Sequence, residues 1–201
     1  MTVRVLRLGP VAAMLAATAA LLPFGRGTYG ADAAAGQKKA QVCVACHGPN
    51  GNSTNPAMPA LASQPQQFIV TQLFMFREGN RKDPQMSPVA AKLTNADLND
   101  LAAFFSAQKR LASGQKVSPE KAKAGGQLAQ KYNCVQCHGP QLYGQQHIPR
   151  LAGQQAEYLR VQLRGFKAQT RFDMDGNMPS AAQPLSPADI DLLAEYISGL
   201  N

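Results

Sequence analysis

One pentapeptide pattern is written twice in this chain: Cys43-Val44-Ala45-Cys46-His47 and Cys134-Val135-Gln136-Cys137-His138. No other feature restricts the fold as strongly. C-x-x-C-H is the attachment signature of c-type haem. The two cysteines add as thioethers to the two vinyl groups of a porphyrin. A spacing of three puts both sulfurs on one side of a helical turn, matched to one edge of the macrocycle. The histidine that follows swings under the ring, and its imidazole nitrogen bonds the iron. Four cysteines also suit two disulfides, one four-cysteine zinc site or a thioredoxin-like redox pair. The histidines separate these readings. The chain has three His, and two of them directly follow a C-x-x-C. Neither a disulfide nor a four-cysteine zinc site requires that, and no βαβ pattern surrounds either motif. Two covalently bound haem c groups are therefore the expected cofactors.

The first residues differ from the rest. Arg4 and Arg7 precede an uncharged run over residues 8–25, rich in Ala and Leu, and Ala31-Asp32-Ala33 fits a small-x-small cleavage site. This predicts a secretory signal peptide over residues 1–33. Gly9, Pro10 and Pro23 interrupt the run, which favours cleavage over a retained membrane anchor. The mature part then faces an exported, oxidising compartment, where haem attachment to C-x-x-C-H normally happens. Removing residues 1–33 takes away Arg4, Arg7, Arg26 and Asp32, so the formal charge of +8 falls to +6. Haem propionates lower it further. No basic stretch interleaved with aromatics is present, so no nucleic-acid partner is expected. A weakly charged docking surface for an acidic redox protein fits this balance.

The motif opens a longer repeat. Residues 34–110 match residues 124–201 at a nearly constant offset. His47 pairs with His138 at an offset of 91. Pro59-Ala60-Leu61-Ala62-Ser63-Gln64 pairs with Pro149-Arg150-Leu151-Ala152-Gly153-Gln154 at 90, as do Gln72-Leu73 with Gln162-Leu163 and Arg81 with Arg171. Met86 with Met178, Leu93 with Leu185, Asp97 with Asp189 and Phe104 with Tyr196 pair at 92. A period this long is not a solenoid repeat; it is a duplicated domain. The expected organisation is a first domain over residues 34–110, a linker over 111–120 and a second domain over 121–201. Residues 109–120 carry Lys, Ser, Gly and Pro without apolar periodicity.

Each half reads as all-α. Residues 33–46 and 121–137 are Ala/Lys/Gln-rich and lead into the haem motif. Residues 66–78 and 156–167 carry apolar side chains at helical spacing. The last helices start at Thr94 and Ser186, each followed by an acid three residues later, with Pro187 in the first turn of the second. No stretch alternates with period two. A domain of about 80 residues has a marginal core by itself. Enclosing several hundred Å² of porphyrin at about 25 cal/mol per Å² adds on the order of 10 kcal/mol, so the haem-free chain is expected to be largely unfolded.

The iron has one more axial position. Filled by a side chain, it suits electron transfer; left open, it binds O₂, peroxide or NO. The mature chain offers Met58, Met75, Met86, Met174, Met178 and His147. Met58 aligns with Ile148 and Met75 with Gly165, while Met174 and His147 have no counterpart in the first copy. Only Met86 and Met178 match each other, in loops Met86-Ser87-Pro88 and Met178-Pro179-Ser180. They are the expected second ligands, beside His47 and His138. The other methionines read as core fillers and His147 as a surface or haem-edge residue. Pro59 and Pro149 lack N–H, and their carbonyls are expected to accept from the axial histidines. Arg81 and Arg171 are candidate propionate donors, or plain solvated charges.

Together, the signal peptide, two C-x-x-C-H domains, the P-x-L-A-[SG]-Q segment after each and the matched methionine resemble the diheme cytochrome c4 family, over residues 34–201. Ser63 departs mildly from the expected Gly. The resemblance implies two tandem class I cytochrome c folds joined by a short linker, related by a pseudo-two-fold axis, with the haems close at the interface. It also implies a periplasmic electron carrier, often membrane-associated, that takes electrons from a redox protein and feeds a terminal oxidase. No residue is then catalytic. A diheme cytochrome subunit of a dehydrogenase complex, such as flavocytochrome c sulfide dehydrogenase, is the alternative. A diheme peroxidase requires an open or bis-His iron, which the paired methionines oppose, and no output domain supports a gas sensor.

Overall fold

The computed structural model describes Met1 and residues 30–201. The signal peptide read over residues 1–33 lies outside the described residues, except for Met1 and residues 30–33. Residues Ala31–Asn201 form one compact unit. Ten α-helices follow one another among the described residues: α1 (Ala33–Lys39), α2 (Val44–His47), α3 (Gln66–Arg77), α4 (Met86–Ala90), α5 (Asn95–Ser106), α6 (Pro119–Lys131), α7 (Cys134–His138), α8 (Ala156–Lys167), α9 (Asn177–Ala182) and α10 (Pro187–Ser198). The second five repeat the first five. No strand occurs among the described residues; one isolated bridge joins Gln145 and Ile148.

In each half the first helix crosses the last, and the third packs on the last. Glycine permits the close crossing. A Cβ on Gly36 of α1 would lie 2.0 Å from the Asp100 carbonyl oxygen on α5, and one on Gly125 of α6 would lie 2.3 Å from Tyr196 Cβ on α10. The apolar face of α5 (Leu101, Phe104, Phe105) closes the first core with Ala40 and Ile69. Ile190, Leu193 and Ile197 of α10 close the second with Leu142, Leu159, Phe166 and Leu185. Both last helices start on a capping box, Thr94 with Asp97 and Ser186 with Asp189.

Three local expectations change. The run over residues 33–46 is not one helix: α1 ends at Lys39, a 3₁₀ turn covers Ala40–Val42, and α2 begins at Val44. The run over 121–137 breaks where Asn133 takes φ 57, a left-handed conformation that Asn tolerates better than most residues. The helix before it begins at Pro119, capped by Ser118 on the Lys121 amide, so two linker residues are helical. The matched methionines lie in the first turns of helices α4 and α9 rather than in open loops. Pro88 and Pro179 are tolerated there because first-turn N–H groups have no helical partner.

At the other end of the first half, Asp32 caps α1 on the Ala34 and Ala35 amides, and its own N–H donates to Asp100 Oδ1 at 2.8 Å. A chain cut after Ala33 would lack this cap.

Candidate functional site

Each C-x-x-C-H forms one tight turn. The His47 amide donates to the Cys43 carbonyl at 2.9 Å. Gly48 at φ 74 and Gly139 at φ 81 follow the two histidines and end the turns in a conformation that costs a Cβ-bearing residue strain. All four cysteines are free; Cys46 and Cys137 are exposed, Cys43 and Cys134 half-buried. Burial pushes the Cys43 and Cys134 thiols above the ordinary value. A thiol-redox motif needs the opposite shift.

The two histidines are buried, at 6 % and 5 % exposure. His47 Nδ1 is 2.8 Å from the Pro59 carbonyl oxygen, and His138 Nδ1 is 2.9 Å from that of Pro149. A carbonyl only accepts, so Nδ1–H donates in both rings and the Nε2 lone pair is uncommitted. Burial holds both histidines below their ordinary pKa, against the opposing pull of the proline carbonyls. The rings are therefore neutral at pH 7, the form that binds iron.

Met86 and Met178 are half-buried. Asp83 Oδ1 accepts from the Gln85 and Met86 amides at 2.9 and 2.8 Å, and the Asp83 amide donates to Ser87 Oγ. Asp173 repeats the device, accepting from the Asn177 amide at 3.2 Å and from the Met178 amide at 3.1 Å. Met178 packs on the same apolar cluster as Cys134. Of the remaining candidates, Met58 is half-buried like the matched pair, with its amide donating to the Asn55 carbonyl at 3.1 Å. Met75 is buried inside the core, Met174 is exposed, and His147 Nε2 pairs with Asp175 Oδ2 at 2.7 Å on the surface.

Arg81 and Arg171 meet where the halves touch. Arg81 Nη1 donates to Gln72 Oε1 at 2.6 Å, and its Nη2 reaches Tyr158 Oη at 3.2 Å and Gln162 Oε1 at 3.0 Å. Arg171 Nη1 donates to the same Gln162 oxygen. Each guanidinium lies over a phenyl ring of its own half, Arg81 on Phe76 at 4.4 Å and Arg171 on Phe166 at 4.3 Å. Burial lowers the Arg171 pKa to about 10. Burial also raises the Tyr158 phenol, but the two guanidiniums together outweigh it, so its pKa lies below the ordinary value. Arg171 Nε is buried without a hydrogen-bond partner. A buried cationic donor left unpartnered fits an anionic group such as a propionate.

The residues present therefore fit covalent haem. Two sulfurs stand on one turn, a neutral imidazole has Nε2 uncommitted, and one buried guanidinium nitrogen, Arg171 Nε, lacks an acceptor. The sequence reading gave no role to Asp83, Asp173, Tyr158, Gln64 or Gln154. The first two had a signal: Arg-x-Asp recurs at an offset of 90 just before each matched methionine.

The cytochrome c family matches residues 33–109 and again 122–201. Cytochrome c4 of Pseudomonas aeruginosa is 39% identical over 180 residues, covering 85% of this chain and 89% of that protein. A thiosulfate dehydrogenase electron acceptor of Thiomonas intermedia is 32% identical over 177 residues, covering 82% of this chain and 81% of its own. The crystal structure of reduced recombinant cytochrome c4 from Pseudomonas stutzeri superposes with a TM-score of 0.79 at 36% identity, covering 85% of this chain and all of that one. Two haem motifs on matching turns, two cytochrome c matches in tandem and these relatives agree: the chain belongs to the cytochrome c4 family, electron-transfer proteins with two covalently bound haem c groups.

Proposed function

We propose that this chain is an exported periplasmic electron carrier whose two irons are each closed by one histidine and one methionine. Cys43 and Cys46 would hold the first haem, with His47 and Met86 as ligands to its iron; Cys134 and Cys137 would hold the second, with His138 and Met178. Residues 34–110 and 121–201 are the two haem domains. The observation that carries this reading is the doubled device on each side: a histidine with Nδ1 bonded to a proline carbonyl, and an aspartate fixing the amide of the matched methionine.

When bound, each haem supplies one-electron exchange between Fe(II) and Fe(III). The chain's own residues set the terms. The proline carbonyls orient the histidine rings and raise their basicity as ligands. The methionine thioethers are soft ligands that favour the reduced iron and keep O₂ and peroxide out. Arg171 offers a buried donor, Nε, to a propionate and favours the ionised carboxylate. No side chain is required as acid or base.

Electrons enter from a dehydrogenase and leave to a terminal oxidase, with the protein peripheral to the membrane. The Thiomonas relative supports a thiosulfate dehydrogenase as donor; a subunit role in flavocytochrome c sulfide dehydrogenase is the alternative. The test is the mass of the purified protein with an optical redox titration, followed by turnover with each partner. Two covalent haems with methionine-type spectra support the ligand set, and one haem or five-coordinate iron overturns it. Failure of a terminal oxidase to reoxidise the reduced protein removes that acceptor.

A further inference from the structure

The P-x-L-A-[SG]-Q segments do more than follow the haem motifs. Gln154 of the second half is 3 % exposed and bonds the backbone of Ala60 in the first: the Ala60 N–H donates to Gln154 Oε1 at 2.8 Å, and Gln154 Nε2 donates to the Ala60 carbonyl at 2.9 Å. Gln64 of the first half, also 3 % exposed, does the same to Arg150 of the second. The Arg150 N–H donates to Gln64 Oε1 at 3.0 Å, and Gln64 Nε2 donates to the Arg150 carbonyl at 2.8 Å. An N–H needs an acceptor and a carbonyl needs a donor, so these partners fix the orientation of both side-chain amides.

Ala60 and Arg150 are the residues directly after Pro59 and Pro149. The Pro59 carbonyl and the Ala60 N–H therefore belong to one planar peptide group, whose resonance links its oxygen to its nitrogen. That one group accepts from His47 Nδ1 on its oxygen side and donates to Gln154 on its nitrogen side. The Pro149–Arg150 group does the same between His138 and Gln64. A peptide whose N–H donates carries more negative charge on its oxygen and becomes a better acceptor. A better acceptor draws on Nδ1–H and makes the ring a stronger donor at Nε2.

We infer that Gln64 and Gln154 are crossed positioning residues: each half's glutamine tunes the axial histidine, and so the haem potential, of the other half. This rests on His47 and His138 being the iron ligands. Removing the glutamine weakens the acceptor, makes the histidine a poorer donor to Fe(III), and raises the potential of the opposite haem. The apolar near-isostere is Gln154→Met, with Gln64→Met as its mirror.

The experiment is an optical redox titration of the holoprotein and both variants. Met86→His and Met178→His, each made in the parent, assign the two titration steps by lowering one potential. Gln154→Met is expected to raise the first-half haem by about a threefold change in its oxidised-to-reduced ratio, about 28 mV at 59 mV per tenfold for one electron. The second-half haem stays in place. Gln64→Met does the reverse. The ¹H resonance of His47 Nδ1–H moves upfield in Gln154→Met while that of His138 does not. A glutamine that only clasps the halves shifts both haems together or neither, and that result overturns the inference. So does a shift confined to the variant's own half. Gln154→Asn and Gln64→Asn, which stay polar but withdraw the amide, serve if the methionine variants do not fold, and the same crossed pattern is required of them. A parent whose irons lack histidine defeats the ligand reading, and this inference with it; correct ligation with no crossed shift defeats this inference alone.

Discussion

Two adjacent glycines of α6, Gly125 and Gly126, give a test in which the same substitution should have opposite signs. Both lie inside the helix, where Ala is favoured over Gly by about 1 kcal/mol. They differ in what a new methyl meets. On Gly125 a Cβ would lie 2.3 Å from Tyr196 Cβ and 2.6 Å from Tyr196 Cγ; ordinary contact begins at 3.4 Å. Tyr196 Cβ is tied to the backbone of α10 and cannot swing away, so the two helices must part by about an ångström. Overpacking of this kind costs about 1–3 kcal/mol, and an unyielding obstacle puts Gly125→Ala toward the upper end. The net effect after the helix-propensity gain is a loss of about 2 kcal/mol. On Gly126 the nearest atom is Tyr196 Oη at 3.5 Å, an ordinary contact. Gly126→Ala should keep most of the gain, about 0.5–1 kcal/mol. For a chain of this size 1 kcal/mol moves Tm by about 2–4 °C. Thermal unfolding of the ferric holoprotein, followed at 222 nm, should show Gly125→Ala lower by roughly 4–8 °C and Gly126→Ala higher by roughly 1–4 °C. Shifts in the same direction, or in the reverse order, would refute the claim that the α6–α10 crossing is set by contact at Gly125.

Met86→Ala and Met178→Ala should each open one iron to added imidazole or CO while the other stays closed; unchanged spectra with no ligand uptake would remove the methionines from the site. Arg171→Gln should lower one haem potential by about tenfold in its oxidised-to-reduced ratio, about 59 mV, because a buried positive charge that disfavours Fe(III) is lost; an unmoved titration curve counts against a propionate partner. Asp97 has its pKa lowered to about 2, first by the Lys39 ammonium and then by Thr94, and Lys39 also holds Asp100 below its ordinary value. A depressed folded-state pKa means stability that is present above about pH 4 and lost as pH falls toward 2. The shift caps the Asp97 contribution near 2 kcal/mol, and screening at this partly exposed pair reduces it to about 1 kcal/mol. Urea midpoints measured from pH 5 to pH 2 should fall less steeply in Lys39→Met than in the parent.

The parts of the fold legible in the sequence are those whose causes are local. The C-x-x-C-H turns need only five consecutive residues. Thr94 with Asp97 and Ser186 with Asp189 announce the last helices because a capping box is complete within four positions. The proline–histidine bonds were also within reach, since a proline recurs 12 residues after His47 and 11 residues after His138. The helices α4 and α9 were not: their first amides are held by Asp83 and Asp173, side chains upstream that carry no apolar period. The break at Asn133 depends on one residue adopting positive φ. Gln64, Gln154, Arg81 and Arg171 all repeat visibly, but a repeat shows that two residues are equivalent, not that each acts on the other half. That information exists only once the halves dock.

Docking follows the repeat itself. Gln64 bonds Arg150, and Gln154 bonds Ala60; Gln154 is Gln64 plus 90, and Arg150 is Ala60 plus 90. A residue that meets its partner's equivalent, and is met in return, defines an isologous interface, here inside a single chain. Duplication thus supplied both surfaces at once, because a self-complementary patch needs only one sequence. The symmetry fails at one place that matters electrically. Tyr158 accepts from Arg81, but the residue equivalent to Tyr158 in the first half is Phe68, which has no hydroxyl to offer Arg171. A phenol of lowered pKa therefore stands on one side of the paired guanidiniums and an apolar ring on the other. Matching cysteines, histidines and methionines are therefore not in identical surroundings: the second half places a phenol against the paired guanidiniums where its first-half counterpart is a phenyl ring.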